Sequence, residues 1–239
     1  MTVATQSPTT RPAAKSSADR LIDLLPELSP GQSVAMTDLR WGDYLRVLAG
    51  RDRLRRGARV TFDAGRLEIM TISSPHDRLK YYLGRIIDTL SEELSIEIVG
   101  QGQTTISRED LDRGFEPDAW YYVQNATRMR TTRDLDFTRD PPPDLAVDVE
   151  ISRSALDRLD LYARMGVPEV WRHDFTTLTV LHLNADATYS ERLTSLSFPQ
   201  VPLSGVGVAI AEAEAHGSLI AFRNFRAWVR SILESRTQA

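Results

Sequence analysis

Residues 144–150, Asp-Leu-Ala-Val-Asp-Val-Glu, follow three consecutive prolines at 141–143 and gather side chains that could do chemistry. Side chains alternate between the faces of an extended strand. Leu145, Val147, Val149 and Ile151 would therefore share one face, and Asp144, Ala146, Asp148 and Glu150 the other. The Cα atoms of Asp148 and Glu150 would lie roughly 6.5–7 Å apart. At an effective dielectric of about 20, two anions at that separation repel by about 2.5 kcal/mol. A divalent cation held by these hard oxygen ligands would turn the repulsion into binding energy. The plainer reading is an edge strand whose acids face water. Asp144, the first acid, fits a strand-start role better than a place next to a metal ion.

Composition narrows the remaining chemistry. The chain has 239 residues, 41% hydrophobic and 26% charged, as in an ordinary globular protein. A net charge of −4 and a pI near 5.6 argue against non-specific coating of nucleic acid. A local basic rim beside an acidic site is still compatible with those values. With no cysteine, thiolate zinc sites, disulfides and cysteine nucleophiles are excluded. His76, His173, His182 and His216 show no metal-ligand spacing. No apolar run approaches the 18 or so residues that span a bilayer, and the Thr/Ser/Ala/Pro-rich start lacks a signal-peptide core. A cytoplasmic protein is expected.

The elements around the acidic strand must position it. Residues 1–32 read as a flexible leader in which Leu21, Ile22, Leu24 and Leu25 permit a short docking helix. Residues 33–239 read as one domain. An amphipathic helix is predicted over 37–49, capped by Thr37 with Leu39, Leu45 and Leu48 inward. The arginine-rich run 51–59 reads as solvated or as a phosphate contact. A hairpin turns at Asp63-Ala64-Gly65. A long helix over 76–94 carries Leu79, Leu83, Ile86, Leu90 and Leu94 on one stripe. Strands are predicted over 96–99, 118–123, 168–171 and 178–183, with a second hairpin at 184–186. Ser154 and Asp157 suggest a capping box that opens a helix ending at Gly166. Leu219, Phe222, Phe225, Trp228, Val229 and Ile232 suggest a C-terminal helix. This order predicts an α/β fold with a mixed sheet flanked by helices and a strand–helix–strand crossover after Glu150.

Three stretches taken together carry a resemblance. They are Glu116-Pro117-Asp118 followed by aromatics, the 143–150 strand, and Ser154…Arg158…Tyr162-Ala163…Gly166-Val167-Pro168-Glu169-Val170-Trp171. Over roughly 60–198 the chain resembles the Uma-two-type restriction endonucleases, grouped with the PD-(D/E)XK nuclease superfamily. The resemblance implies a restriction-endonuclease-like core and a metal-dependent endonuclease acting on DNA. It places Asp118 at the "PD" aspartate and Asp148 at the strand acid. These two, with the carbonyl of Val149, would hold Mg²⁺, for which Mn²⁺ can substitute. A metal-activated water would then attack phosphorus. A homodimer is implied by analogy.

Two positions depart from the pattern. The superfamily lysine falls on Glu150, and Arg158 stands where related sequences carry a lysine on the next helix. Arginine can stabilise developing phosphate charge but cannot act as a base at neutral pH. Either Glu150 is an additional metal ligand with Arg158 as the phosphate-facing cation, or the site is degenerate and the fold serves as a DNA- or protein-binding module. Hydrolysis of another phosphate ester is a third reading. His76 matches a family histidine approximately. Tyr121, Tyr122, Tyr162, Glu169 and Trp171 read as structural.

Overall fold

The computed structural model describes residues 15–55, 57–149 and 154–237. Its helices are α1 (Ser17–Leu24), α2 (Trp41–Leu54), α3 (Ser74–Leu94), α4 (Ala126–Met129), α5 (Arg158–Arg164), α6 (Ser204–His216) and α7 (Ser218–Thr237). The strands of the first half are β1 (Ser33–Met36), β2 (Ala58–Asp63), β3 (Arg66–Thr71), β4 (Val99–Gly100), β5 (Ile106–Arg108) and β6 (Arg113–Phe115). Those of the second are β7 (Ala119–Tyr122), β8 (Leu145–Val149), β9 (Glu169–His173), β10 (Leu178–Leu183) and β11 (Tyr189–Arg192).

Two sheets result. The first, in the order β1-β3-β2-β6-β5, is antiparallel throughout. The second, in the order β11-β10-β9-β8-β7-β4, is mixed, with β8 and β9 its parallel pair. Parallel neighbours need a crossover, and α5 lies in the connection between them. The mixed sheet flanked by helices is the α/β class expected. A hairpin signal at Asp63-Ala64-Gly65 cannot announce that β2 and β3 join a sheet of five.

The acidic strand is central, not an edge. Leu145, Val147 and Val149 enter a core shared with α3, α6 and α7. Ala146 enters a second core with Trp120, Tyr122, Leu161 and Tyr162 on the opposite face. The alternation holds, but with both faces covered every residue of β8 is buried, Asp148 included. A third core joins α1 and α2 to β2 and β3.

Local chemistry moves several predicted boundaries. The helix expected over 37–49 begins at Trp41, because Asp43 bonds back to the Arg40 amide at its N-terminus. That register buries Tyr44 and Val47, with Tyr44 stacked on Phe62 at 5.3 Å, and leaves Leu45 49% exposed. Ser154 does not cap α5. Its hydroxyl bonds the Glu68 carboxylate, and Asp157 accepts the amides of Leu159 and Asp160 instead. Gly166 ends α5 with φ +75°, a conformation that suits glycine. The docking helix anticipated near Leu21 is present as α1, capped reciprocally by Ser16 and Asp19. Helix α6 buries Val206, Ala209, Ile210 and Ala213 on one side, but small and apolar residues fill much of the rest, so no clear periodic signal marks it in the sequence.

Gly114 of β6 packs under Tyr44, where an added Cβ would lie 2.3 Å from the tyrosine Oη. Gly114→Ala should lower stability by about 1–3 kcal/mol. For a domain of this size that is roughly 2–4 °C of melting temperature per kcal/mol. An unchanged melting temperature would contradict the close approach.

Candidate active site

Asp118 directly precedes β7, and Asp148 is the fourth residue of β8. The antiparallel register pairs Ala119 with Val147, so one step further sets Asp118 opposite Asp148. Opposed residues point to the same face. That face is turned toward the first sheet, from which Arg59 of β2 reaches in. Arg59 Nη1 lies 3.1 Å from Asp118 Oδ2 and 3.5 Å from Asp148 Oδ1. Glu116 holds this junction together, accepting from Arg51 at 2.5 and 2.6 Å, from the Val60 amide at 3.1 Å and from Thr105 at 2.8 Å. Its role is to fix β2, and therefore Arg59, beside the segment that carries Asp118.

Arg158 opens α5 and grips Asp148 in a fork. Its Nε donates to both carboxylate oxygens at 3.1 Å, and its Nη2 donates to Oδ1 at 2.8 Å. Nη2 also reaches the Glu116 carbonyl at 3.1 Å and the Tyr162 hydroxyl at 3.3 Å. Burial alone would raise the pKa of Asp148. The charge of Arg158, then that of Arg59, outweighs burial and holds the carboxyl below its ordinary range. Burial opposes the charge on Arg158 as well, and Asp148 more than restores it. Asp148 and Arg158 form a buried ion pair in which each favours the charged form of the other.

Asp118 is held differently. Its Oδ2 accepts the Val149 amide at 2.7 Å in addition to Arg59. His76, fully buried in the first turn of α3, brings Nε2 to 2.8 Å from Asp118 Oδ1 and to 3.0 Å from Arg59 Nη2. Nε2 cannot both accept from Arg59 and donate to Asp118. One of the two therefore goes without: Asp118 Oδ1 lacks a donor when Nε2 accepts from Arg59, and Arg59 Nη2 loses that acceptor when Nε2 donates to Asp118. Arg59 Nε has no acceptor in either case. One turn along α3, half-buried Lys80 has its pKa lowered by burial, partly offset by the charge of Asp118.

The structure thus brings together Asp118, Asp148 and Arg158. Glu150, expected as a third acid and metal ligand, lies outside the described residues. Val149, expected to offer its carbonyl to a metal, donates its amide to Asp118. Asp144 closes a turn by accepting the amides of Val123 and Asn125 at 2.7 and 2.9 Å, in keeping with a strand-start role. Glu169 binds Trp171 and Ser197 and is structural, as read. The sequence reading missed Arg59 and Lys80. Arg59 sat inside a charged run, and Lys80 stood on the polar side of a clear apolar stripe. A Mg²⁺ ion bridging Asp118 and Asp148 would need oxygen ligands at about 2.0–2.1 Å, in the space that Arg59 Nη1 fills. With Arg59 in place, these residues do not fit the ion. Among the described residues, no three acids or histidines are grouped to hold one.

Removing one partner from a buried ion pair costs about 3–5 kcal/mol. Arg158→Met should show such a loss, and the Arg158→Met/Asp148→Asn double variant should recover part of it. A loss in the double variant equal to the sum of the single losses would rule out the pairing. The folded pKa of Asp148 lies below its ordinary 3.8, so its stabilisation is present above that value and disappears as pH falls through the folded pKa. Denaturant titrations from pH 5 downward should therefore show a decline in the wild type that Asp148→Asn lessens. Equal slopes would contradict the ionised pair.

The Uma2 family, described as "Putative restriction endonuclease", matches residues 41–211, well over half of the chain. A crystal structure of a putative nuclease belonging to DUF820 from Anabaena variabilis ATCC 29413 is similar at 12% identity, with a TM-score of 0.44. The similarity covers 63% of this chain and 90% of that one. No curated protein matches the chain. From residue 41 to residue 211, a span that holds every strand but β1 and both acids of the pair, the sequence is that of the Uma2 family, to which this chain belongs.

Proposed function

We propose that this chain is a nuclease that hydrolyses DNA phosphodiester bonds, with Asp118 and Asp148 at its reacting centre. The observation that carries the reading is their convergence: two buried carboxylates from adjacent strands meet one guanidinium at 3.1 and 3.5 Å. Buried ion pairs add little stability compared with apolar packing of the same volume. Such clusters of buried charge are more typical of functional sites. Membership of a family described as "Putative restriction endonuclease" supports DNA as the substrate class.

The chain's own residues prepare the centre. Arg158 keeps Asp148 ionised, and the Val149 amide orients Asp118. In the arrangement described, Arg158 spends its donors on Asp148, Glu116 and Tyr162. It is a positioning residue there, and contact with a phosphate would require it to let go. Cutting both strands of a duplex from one acid pair per chain calls for two copies, and a homodimer is part of this proposal.

A second reading has its own support. Both acids are closed on arginines, as they would be in a nuclease fold retained for binding DNA or protein. Incubating the protein with supercoiled plasmid and Mg²⁺ or Mn²⁺ separates the two. Cleavage by the wild type should fall by on the order of 100-fold or more in Asp118→Ala and in Asp148→Ala. Absence of cleavage by the wild type, or equal cleavage by all three proteins, would overturn the nuclease reading. Cleavage of RNA or small phosphodiesters alone would move the substrate away from DNA. Light scattering checks the assembly: the proposal expects a complex with the mass of two chains plus one duplex.

A further inference from the structure

We infer that Arg59 acts as a resident cation, filling the place of a divalent ion between Asp118 and Asp148 and excluding metal while it stays there. The inference rests on the same acid pair as the nuclease proposal but not on catalysis. Charge balance is the first argument. Two carboxylates face two guanidiniums, so the buried cluster of Asp118, Asp148, Arg59 and Arg158 sums to zero. A divalent ion added to it would leave two uncompensated positive charges in a buried place, which is strongly unfavourable.

The second argument is that Arg59 is imperfectly housed. Its Nε has no acceptor, its Nη2 meets the Met70 sulfur at 4.0 Å, and the same Nη2 competes with Asp118 for His76 Nε2. A buried arginine in a structural role has its donors satisfied. Arg158, with its fork on Asp148, meets that standard far better.

The third argument is the unused acceptor capacity beside it. Asp118 Oδ1 is buried and has no donor when His76 Nε2 accepts from Arg59. An ionised carboxylate offers about four lone-pair sites, so Asp148 keeps acceptor capacity beyond its fork with Arg158. Removing the Arg59 charge leaves hard oxygens from two strands facing each other, a donor set suited to Mg²⁺ or Mn²⁺. The feature also gives the site a control. Whatever draws Arg59 away, such as a phosphate competing for its guanidinium, admits the metal.

Mn²⁺ titration followed by electron paramagnetic resonance tests this without any substrate. The wild type should show no Mn²⁺ site that Asp148→Asn abolishes. Arg59→Met, which keeps an apolar stem and loses the charge, should bind Mn²⁺ at least about tenfold more tightly. The gain should vanish in Arg59→Met/Asp148→Asn. Circular dichroism checks folding, and Arg59→Gln replaces Arg59→Met if the latter is unfolded. Tight Asp148-dependent binding by the wild type would overturn the inference. So would folded Arg59→Met and Arg59→Gln proteins that bind no better than wild type. Because the readout is metal binding, failure to cleave plasmid leaves this test intact, and failure here leaves the cleavage assay intact.

Discussion

Two carboxylates set opposite each other on neighbouring strands repel, and in a buried place that repulsion must be met by positive charge. At about 5 Å and an effective dielectric near 20 it amounts to roughly 3 kcal/mol, before the larger penalty of taking the anions out of water. Arg158 meets it from one side and Arg59 from the other. Each comes from a different part of the fold, so the cluster ties α5 and the antiparallel sheet to the mixed sheet.

The architecture explains how so costly a cluster is kept. Strand β8 is central in its sheet, with an apolar core on each face. The Asp118–Asp148 pair lies at the end of the β7–β8 ladder, where the register continues but the strand assignment stops. Glu116, two residues earlier, is saturated by Arg51, Val60 and Thr105 and anchors the first sheet against this end. The acid pair therefore sits at the junction of two sheets, where side chains from β2, α3 and α5 can all reach it. A junction of separate elements can also open, as a strand interior cannot.

The local signals were legible in the sequence, and the long-range ones were not. Alternation in 145–149 correctly assigned Leu145, Val147 and Val149 to one core and Asp148 to the opposite face. The leucine stripe of α3 and the Asn184-Ala185-Asp186 hairpin were equally visible, because 3.6- and 2-residue periods need no tertiary knowledge. The pairing of Asp118 with Asp148 across a long connection came from resemblance, not from pattern. Arg59 could not be singled out, since a guanidinium in the run 51–59 looks solvated until β2 is known to face β7. Its neighbour Arg51 shows the same limit, pairing with Glu116 sixty-five positions away. Helix α6 went unseen because Gly, Ala and Val dominate it and its few polar residues gather toward its ends. For Arg158 the residue was identified, and only the structure showed it gripping Asp148 rather than facing outward.

A crystal structure of the chelator-treated protein tests the central claim most directly. It should show the Arg59 guanidinium lodged between the Asp118 and Asp148 carboxylates, within hydrogen-bonding distance of Asp118, with Arg158 forked on Asp148. Arg59 turned away into solvent, with the two carboxylates apart and separately hydrated, would contradict it.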